Sequence, residues 1–179
     1  MRDGGPVLVV VGGLPASGKS TIGERLARLV RAPYLRVDRI EQAIVRYSTL
    51  EHPVGVAGYA VAYALASEQL TLGLDVVVEC VNPVAVTRDA WVAIAAAADA
   101  AVLEVEVICS DPAEHRRRVL NRPTDVEGLV KPTWEEVLGR EYEAWTRPHL
   151  RVDSSSMSPD EAARRIATAM PAARRQPAG

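Results

Sequence analysis

The chain has 179 residues, 48% hydrophobic and 25% charged, with a formal net charge of −2. This length suits one domain whose core needs neither disulfide nor metal support, and acids and bases are mixed along it, which argues against both a basic field for nucleic acid and an acidic disordered tail. Cys80 and Cys109, the only cysteines, each end an apolar run, as reduced packed thiols in a cytosolic protein do.

Arg2 precedes the apolar run Val7 to Val11, but five residues are fewer than a secretory segment needs. Strand one is predicted over Pro6 to Gly12, a β-branched run of the kind buried on both faces of a sheet. Ile22, Leu26, Leu29 and Val30 recur at helical spacing from Gly18 to Val30. A short second strand, Tyr34 to Val37, leads into a helix over Asp38 to Tyr47. Gly55 to Gly73 reads as a helix that is apolar nearly all round and therefore largely buried. Strand three covers Val76 to Cys80, a helix follows from Pro83 to Ala100, and strand four covers Val102 to Cys109. The Ala-rich stretch from Trp91 to Leu103 is too short to cross a bilayer and contains Asp99, so no membrane association and a cytoplasmic location are expected.

Asp111 caps the next helix, with Pro112 at its first position and Glu114 at its third. Arg122 to Pro132 is aperiodic and rich in Pro, Gly and charge, and reads as a loop or lid. Thr133 with Glu136 forms a capping-box pattern for a helix to about Trp145. Leu150 to Val152 is a fifth short strand, and Pro159 to Met170 a last helix that Pro171 ends. Alternating strands and helices imply a parallel sheet with helices on both faces. Residues 1–179 are expected to form one domain, with a lid at about 111–132 and a frayed tail at about 172–179.

Strand one runs directly into Gly13-Leu14-Pro15-Ala16-Ser17-Gly18-Lys19-Ser20, a complete GxxxxGK[ST] followed by Thr21. Glycines let the backbone bring its N–H groups onto phosphate oxygens, and the helix beginning at Gly18 adds its positive end. Gly13, Ala16, Ser17, Gly18, Lys19, Ser20 and Thr21 are thus the candidate nucleotide-binding residues. Lys19 is placed to reach the β/γ-phosphates, and the Ser20 hydroxyl to ligate Mg²⁺. The chain has only two lysines, Lys19 and Lys131, and one stands where this cradle requires it. ATP and Mg²⁺ are the implied cofactors.

In open parallel sheets, ligands sit beyond the carboxyl ends of the strands. Asp38 follows strand two and Glu79 ends strand three. Phosphoryl transfer to an alcohol needs one carboxylate to orient and deprotonate the hydroxyl, and another to support Mg²⁺. Asp38 is the candidate base, with capping of the following helix as its alternative or additional role. Glu79 is the candidate magnesium partner; a ligand for the acceptor, or a buried acid paired with an arginine, are its alternatives.

The cradle with Val37-Asp38-Arg39 about 20 residues later resembles small P-loop kinases of the chloramphenicol phosphotransferase type. In those enzymes an aspartate in a similar Val-Asp context is the general base. The block Val77-Val78-Glu79-Cys80-Val81-Asn82-Pro83 is similar to a strand-plus-Asn-Pro element of polynucleotide-kinase-like enzymes, although Glu79 stands where aspartate is more usual. The resemblance implies a three-layer, doubly wound parallel sheet of about five strands, nucleoside-kinase-like, with a helical lid. It also carries the suggestion of antibiotic inactivation.

Glu114 to Arg122 is the densest basic segment, and Arg118 and Arg122, four residues apart, share one helix face. Such a pair resembles the arginines in the lid of small-molecule kinases, which neutralise charge as the phosphoryl group moves. His52, His115 and His149 lack metal-ligand spacing and read as surface or satisfied residues, and Tyr59 and Tyr63 as core packing or an acceptor platform. The leading function is an ATP-dependent phosphotransferase acting on a small hydroxyl-bearing acceptor: an antibiotic, a nucleoside or a sugar. A nucleotide or nucleic-acid 5′-kinase is the second reading; near-neutral charge and the absence of a basic stripe with interleaved aromatics weigh against long nucleic acid. A nucleotide-hydrolysing switch is the third.

Overall fold

The computed structural model describes residues 4–121, 128 and 131–173. Its elements are β1 (Val7–Gly12), α1 (Lys19–Val30), β2 (Tyr34–Arg36), α2 (Val37–Tyr47), α3 (Ala57–Thr71), β3 (Val76–Glu79), α4 (Ala85–Ala97), β4 (Ala101–Ile108), α5 (Pro112–Asn121), α6 (Trp134–Leu138), β5 (Leu150–Asp153) and α7 (Pro159–Ala173). The five strands form one parallel sheet in the order β2-β3-β1-β4-β5. Every residue of β1 is buried, because β3 and β4 flank it and helices cover both faces. Val7, Val9 and Val11 pack with Ile22 and Leu26 of α1 and with Ala162 and Ile166 of α7. Leu8 and Val10, on the opposite pleat, pack with Ala62, Ala66 and Leu70 of α3 and Trp91 of α4. This is the doubly wound, three-layer α/β arrangement that the alternation of elements implies.

Several boundaries differ from the sequence reading. Val37 belongs to α2, and α4 is shorter at both ends than Pro83 to Ala100. Cys80 and Cys109 lie just beyond their strands; Cys80 is buried and Cys109 half-buried. The last helix continues through Pro171 to Ala173, since a proline in its final turn removes a single donor. In α3, Gly58, Ala62, Ala66 and Leu70 are buried but Val56, Val61, Leu65 and Leu72 are exposed. The sheet covers only one side of this helix, so its apolar circumference does not translate into full burial.

The largest difference is in α6. Its capping box forms as predicted, with Thr133 Oγ1 accepting from Glu136 N and Glu136 Oε2 accepting from Thr133 N. The helix nevertheless stops at Leu138 rather than near Trp145. Buried Arg88 of α4 explains the path of the chain beyond it. Its guanidinium donates to the carbonyls of Asn82, Pro83, Glu143 and Ala144, while Glu143 N donates to Pro83 O. Peptide groups that would propagate a helix are bound instead to this cation and to the turn after β3. Trp145 then lies over the Arg88 guanidinium, 4.4 Å from ring centroid to Cζ. The same indole presses on Gly12, where a Cβ would meet it at 2.9 Å. The strap thus positions the exit of β1.

Replacing Arg88 with Leu should cost about 3 kcal/mol, because one buried and three partly buried carbonyls lose a charged donor together. Urea unfolding followed by circular dichroism measures the loss; a change under about 1 kcal/mol would show that water satisfies the strap.

Candidate active site

The turn between β1 and α1 has an unusual backbone for a reason visible in its neighbours. Gly13 has φ +152, and a Cβ there would lie 2.3 Å from the Val107 carbonyl oxygen. Gly18, the residue before α1, has φ +96, and Ala16 also takes a positive φ of 61. No side chain caps α1, so the amides of its first turn have no intrahelical acceptor and form an anion-binding end. Ser17 is buried beneath the turn, whereas Thr21 is exposed.

Lys19 is 3% exposed, with Nζ 3.5 Å from the Leu14 carbonyl oxygen and 3.8 Å from Glu79 Oε1. Glu79 is itself 2% exposed and has a partner on each oxygen. Ser20 Oγ donates to Oε1 at 2.8 Å. Tyr34 OH donates to Oε2 at 2.9 Å, and Arg36 Nε pairs with the same oxygen at 2.9 Å. Glu79, distant in sequence from Lys19 and Ser20, is thus brought against them. The burial that Glu79 would suffer alone is offset by two cations and two hydroxyls. Burial and Glu79 push the Tyr34 phenol well above its ordinary range, so it remains a neutral donor. The arginine pairing considered for Glu79 is present, with Arg36 as the arginine, and it coexists with the Ser20 contact.

Among the described residues no group of three or more His, Cys, Asp or Glu forms a metal cage. Ser20 and Glu79 nevertheless fit Mg²⁺, which keeps most of its shell for phosphate and water and takes few protein ligands.

Asp38 is half-buried in the first turn of α2, two residues beyond Arg36. It is not the cap. Arg36 holds that position and makes no side-chain cap bond, since a guanidinium has no acceptor to offer; it pairs with Glu79 instead. Glu41 stands one turn further on. Burial first, and Asp38 second, push its carboxyl up to about 7, against the lowering effect of Arg140.

On the other side of the turn, Arg118 is fixed at both ends. Its Nε donates to Glu114 Oε1 at 2.7 Å, Nη1 to Ser154 Oγ at 2.7 Å and Nη2 to Ser154 O at 3.0 Å. Ser154 Oγ donates in turn to Ser17 O at 2.6 Å, and Nη1 lies 3.6 Å from the Cβ position of Gly18. Arg118 is therefore brought beside the start of α1. Hydrogen bonds from Arg117 and Arg118 hold the Glu114 carboxyl down at about 2. Arg122, its expected companion, lies outside the described residues, as does most of the loop expected to form a lid.

Tyr34, Arg36 and Ser154 escaped the sequence reading, and His115 was read without its place at the turn. Tyr34 and Arg36 share one pleat of β2, but their common partner is far along the chain. His115 is buried, and its Nε2 donates to the Pro15 carbonyl of the turn at 2.8 Å, with Trp134 edge-on at 5.3 Å. Ser154 sits in the turn after β5, which Asp153 fixes by accepting from Ser110 N at 3.1 Å and Ser155 N at 3.0 Å. For His115 the reading as a satisfied residue describes its hydrogen bonding but misses what it touches.

A parallel sheet in this order, with a glycine-rich phosphate turn after its central strand and a buried acid at the end of the neighbouring strand, defines a P-loop NTPase. Residues 8–140 match the family described as AAA domain, and the chain belongs to that P-loop NTPase family. No curated protein matches the sequence. Among solved structures, a Chloroflexus aurantiacus protein aligns at 18% identity and TM-score 0.74, covering 96% of this chain and 100% of its own. A Mycobacterium tuberculosis APS kinase, solved with AMPPNP and APS, aligns at 20% identity and TM-score 0.70, covering 92% and 97%. A Sinorhizobium meliloti gluconokinase aligns at 20% identity and TM-score 0.62, covering 96% and 94%. The chain thus has a P-loop kinase-like fold.

The Glu41 carboxyl gives the site a pH signature. The folded chain holds this proton up to about 7, whereas an unfolded chain releases it near 4.5. The folded state binds more protons between those values, so stability should fall as pH rises through that window. Urea midpoints at several pH values should show the Glu41→Gln variant losing part of that slope; an unchanged slope would place the carboxyl in its ordinary range.

Proposed function

We propose that this chain is a kinase that moves the γ-phosphoryl group of ATP to a hydroxyl of a small molecule, with an antibiotic, a nucleoside or a sugar as the acceptor and the cytoplasm as its location. The observation that carries this reading is the convergence on Glu79. Its Oε1 takes the Ser20 hydroxyl, with Lys19 alongside, and its Oε2 takes Arg36, two residues before Asp38. One buried carboxylate thus links the phosphate turn to the segment bearing the candidate base.

In this proposal backbone amides at the start of α1 and the Lys19 ammonium hold the β- and γ-phosphates. Ser20 would hold Mg²⁺ through its hydroxyl oxygen, and Glu79, accepting a hydrogen bond from that hydroxyl, would orient it. When bound, Mg²⁺ neutralises charge on the phosphate oxygens. Arg118 supports the nucleotide beside the first turn of α1, and Arg122 of the lid completes the charge. Asp38 accepts the proton of the acceptor hydroxyl as its oxygen bonds to phosphorus, while the bond to the β-phosphate oxygen breaks and ADP departs. The near-neutral net charge supports a small acceptor over a long polynucleotide.

The direct test follows ADP release with ATP, Mg²⁺ and panels of antibiotics, nucleosides and sugars. Transfer to one of them is the expected result; hydrolysis indifferent to every acceptor would favour a switch protein instead. Lys19→Ala should abolish transfer. Asp38→Asn should keep ATP affinity while turnover falls by roughly 10²–10⁴, the usual contribution of a general base; normal turnover in this variant would remove Asp38 from the chemistry.

A further inference from the structure

We propose that Glu41 selects the acceptor by taking a hydroxyl or ammonium group adjacent to the reacting hydroxyl, which makes the acceptor an uncharged or cationic polyol or amino alcohol. The inference rests on the kinase reading, with Asp38 as base. Four observations support it. Asp38 and Glu41 lie one turn apart on α2 and therefore share a face, so one molecule can engage both carboxylates. Glu41 lies across Gly58 of α3: a Cβ there would sit 2.3 Å from Glu41 Cγ and 2.9 Å from its Oε1. The glycine leaves the room that this conformation needs. The next residue, Gln42, has its Oε1 3.1 Å from the Cβ position of Gly128, so α2 also approaches the chain after α5. Finally, the Asp38 carboxylate and the Arg140 guanidinium both act on Glu41, so its carboxyl stands among charged groups at this end of α2.

A like-charged pair that is partly desolvated destabilises the folded chain, and such pairs concentrate at functional sites. The elevated proton affinity of Glu41 adds to the geometry, since near neutral pH the carboxyl can either donate to a hydroxyl or accept from one. An anionic acceptor would meet two acids here; a sugar or amino alcohol would find two adjacent hydrogen-bonding groups.

The experiment uses the full chain and the acceptor identified by the ADP-release panel. Glu41→Ala should raise the acceptor KM roughly ten- to a hundredfold, the effect of losing a hydrogen bond to a charged group, with ATP KM unchanged. Glu41→Gln, which keeps a donor and an acceptor, should recover part of the loss. Calorimetric titration of the acceptor with a non-hydrolysable ATP analogue bound should show the same order. An acceptor analogue lacking the adjacent hydroxyl or amine should bind wild type and Glu41→Ala equally. Gly58→Ala, which favours the helix but displaces Glu41, should mimic Glu41→Ala on acceptor KM without loss of thermal stability. A productive acceptor bearing phosphate, sulfate or carboxylate, or equal losses on ATP and acceptor, would overturn the inference while leaving the kinase reading intact. Tight ATP binding with no transfer to any acceptor would overturn both.

Discussion

The Glu79 carboxylate is the constraint on which the site depends. A fully desolvated acid costs several kcal/mol unless it is surrounded by donors and positive charge. The chain supplies them from two directions. Lys19 and Ser20 come from the helix after β1, Tyr34 and Arg36 from the edge strand β2. Satisfying one buried charge therefore fixes the first turn of α1 relative to the start of α2. The glutamate is one methylene longer than the aspartate usual at such a position, and its reach is used in full, since both oxygens are occupied by opposite sides of the cleft.

A second set of contacts holds the other flank of the phosphate turn. His115 grips Pro15 from α5, and Ser154 passes a hydrogen bond from Arg118 to the Ser17 carbonyl. Behind them, Arg88 gathers the chain after α6 and brings Trp145 against Gly12. The turn is thus held by side chains from α5, from the turn after β5 and from the 140s strap, none of which belongs to the motif itself.

Much of the fold was legible because its signals are local. The continuous apolar β1, the phosphate motif and the caps at Asp111 and Thr133 depend on residues within a few positions of one another. The sheet in five parallel strands follows from the alternation of such segments. What remained hidden is long-range. α6 ends early because its following carbonyls bind a guanidinium more than fifty positions away in sequence. The exposed flank of α3 is the side turned away from the sheet, which the apolar sequence of the helix does not mark. In the site, Lys19, Ser20 and Glu79 could be proposed from residue type and strand position, whereas Tyr34, Arg36, His115 and Ser154 carry no motif. Their roles come from what packs beside them.

The register of β1 bears on the order in which the molecule assembles. This strand precedes all of its partners in the chain: its inter-strand hydrogen bonds are made with β3 and β4, and its first amide is held by Asp75, 68 positions downstream. Closing such distant segments carries a loop-entropy cost and slows folding. The glycine turn is made before Val107, the residue whose carbonyl walls Gly13 in the folded chain. A nascent chain ending before β4 contains the whole phosphate motif and lacks the wall against which it sets.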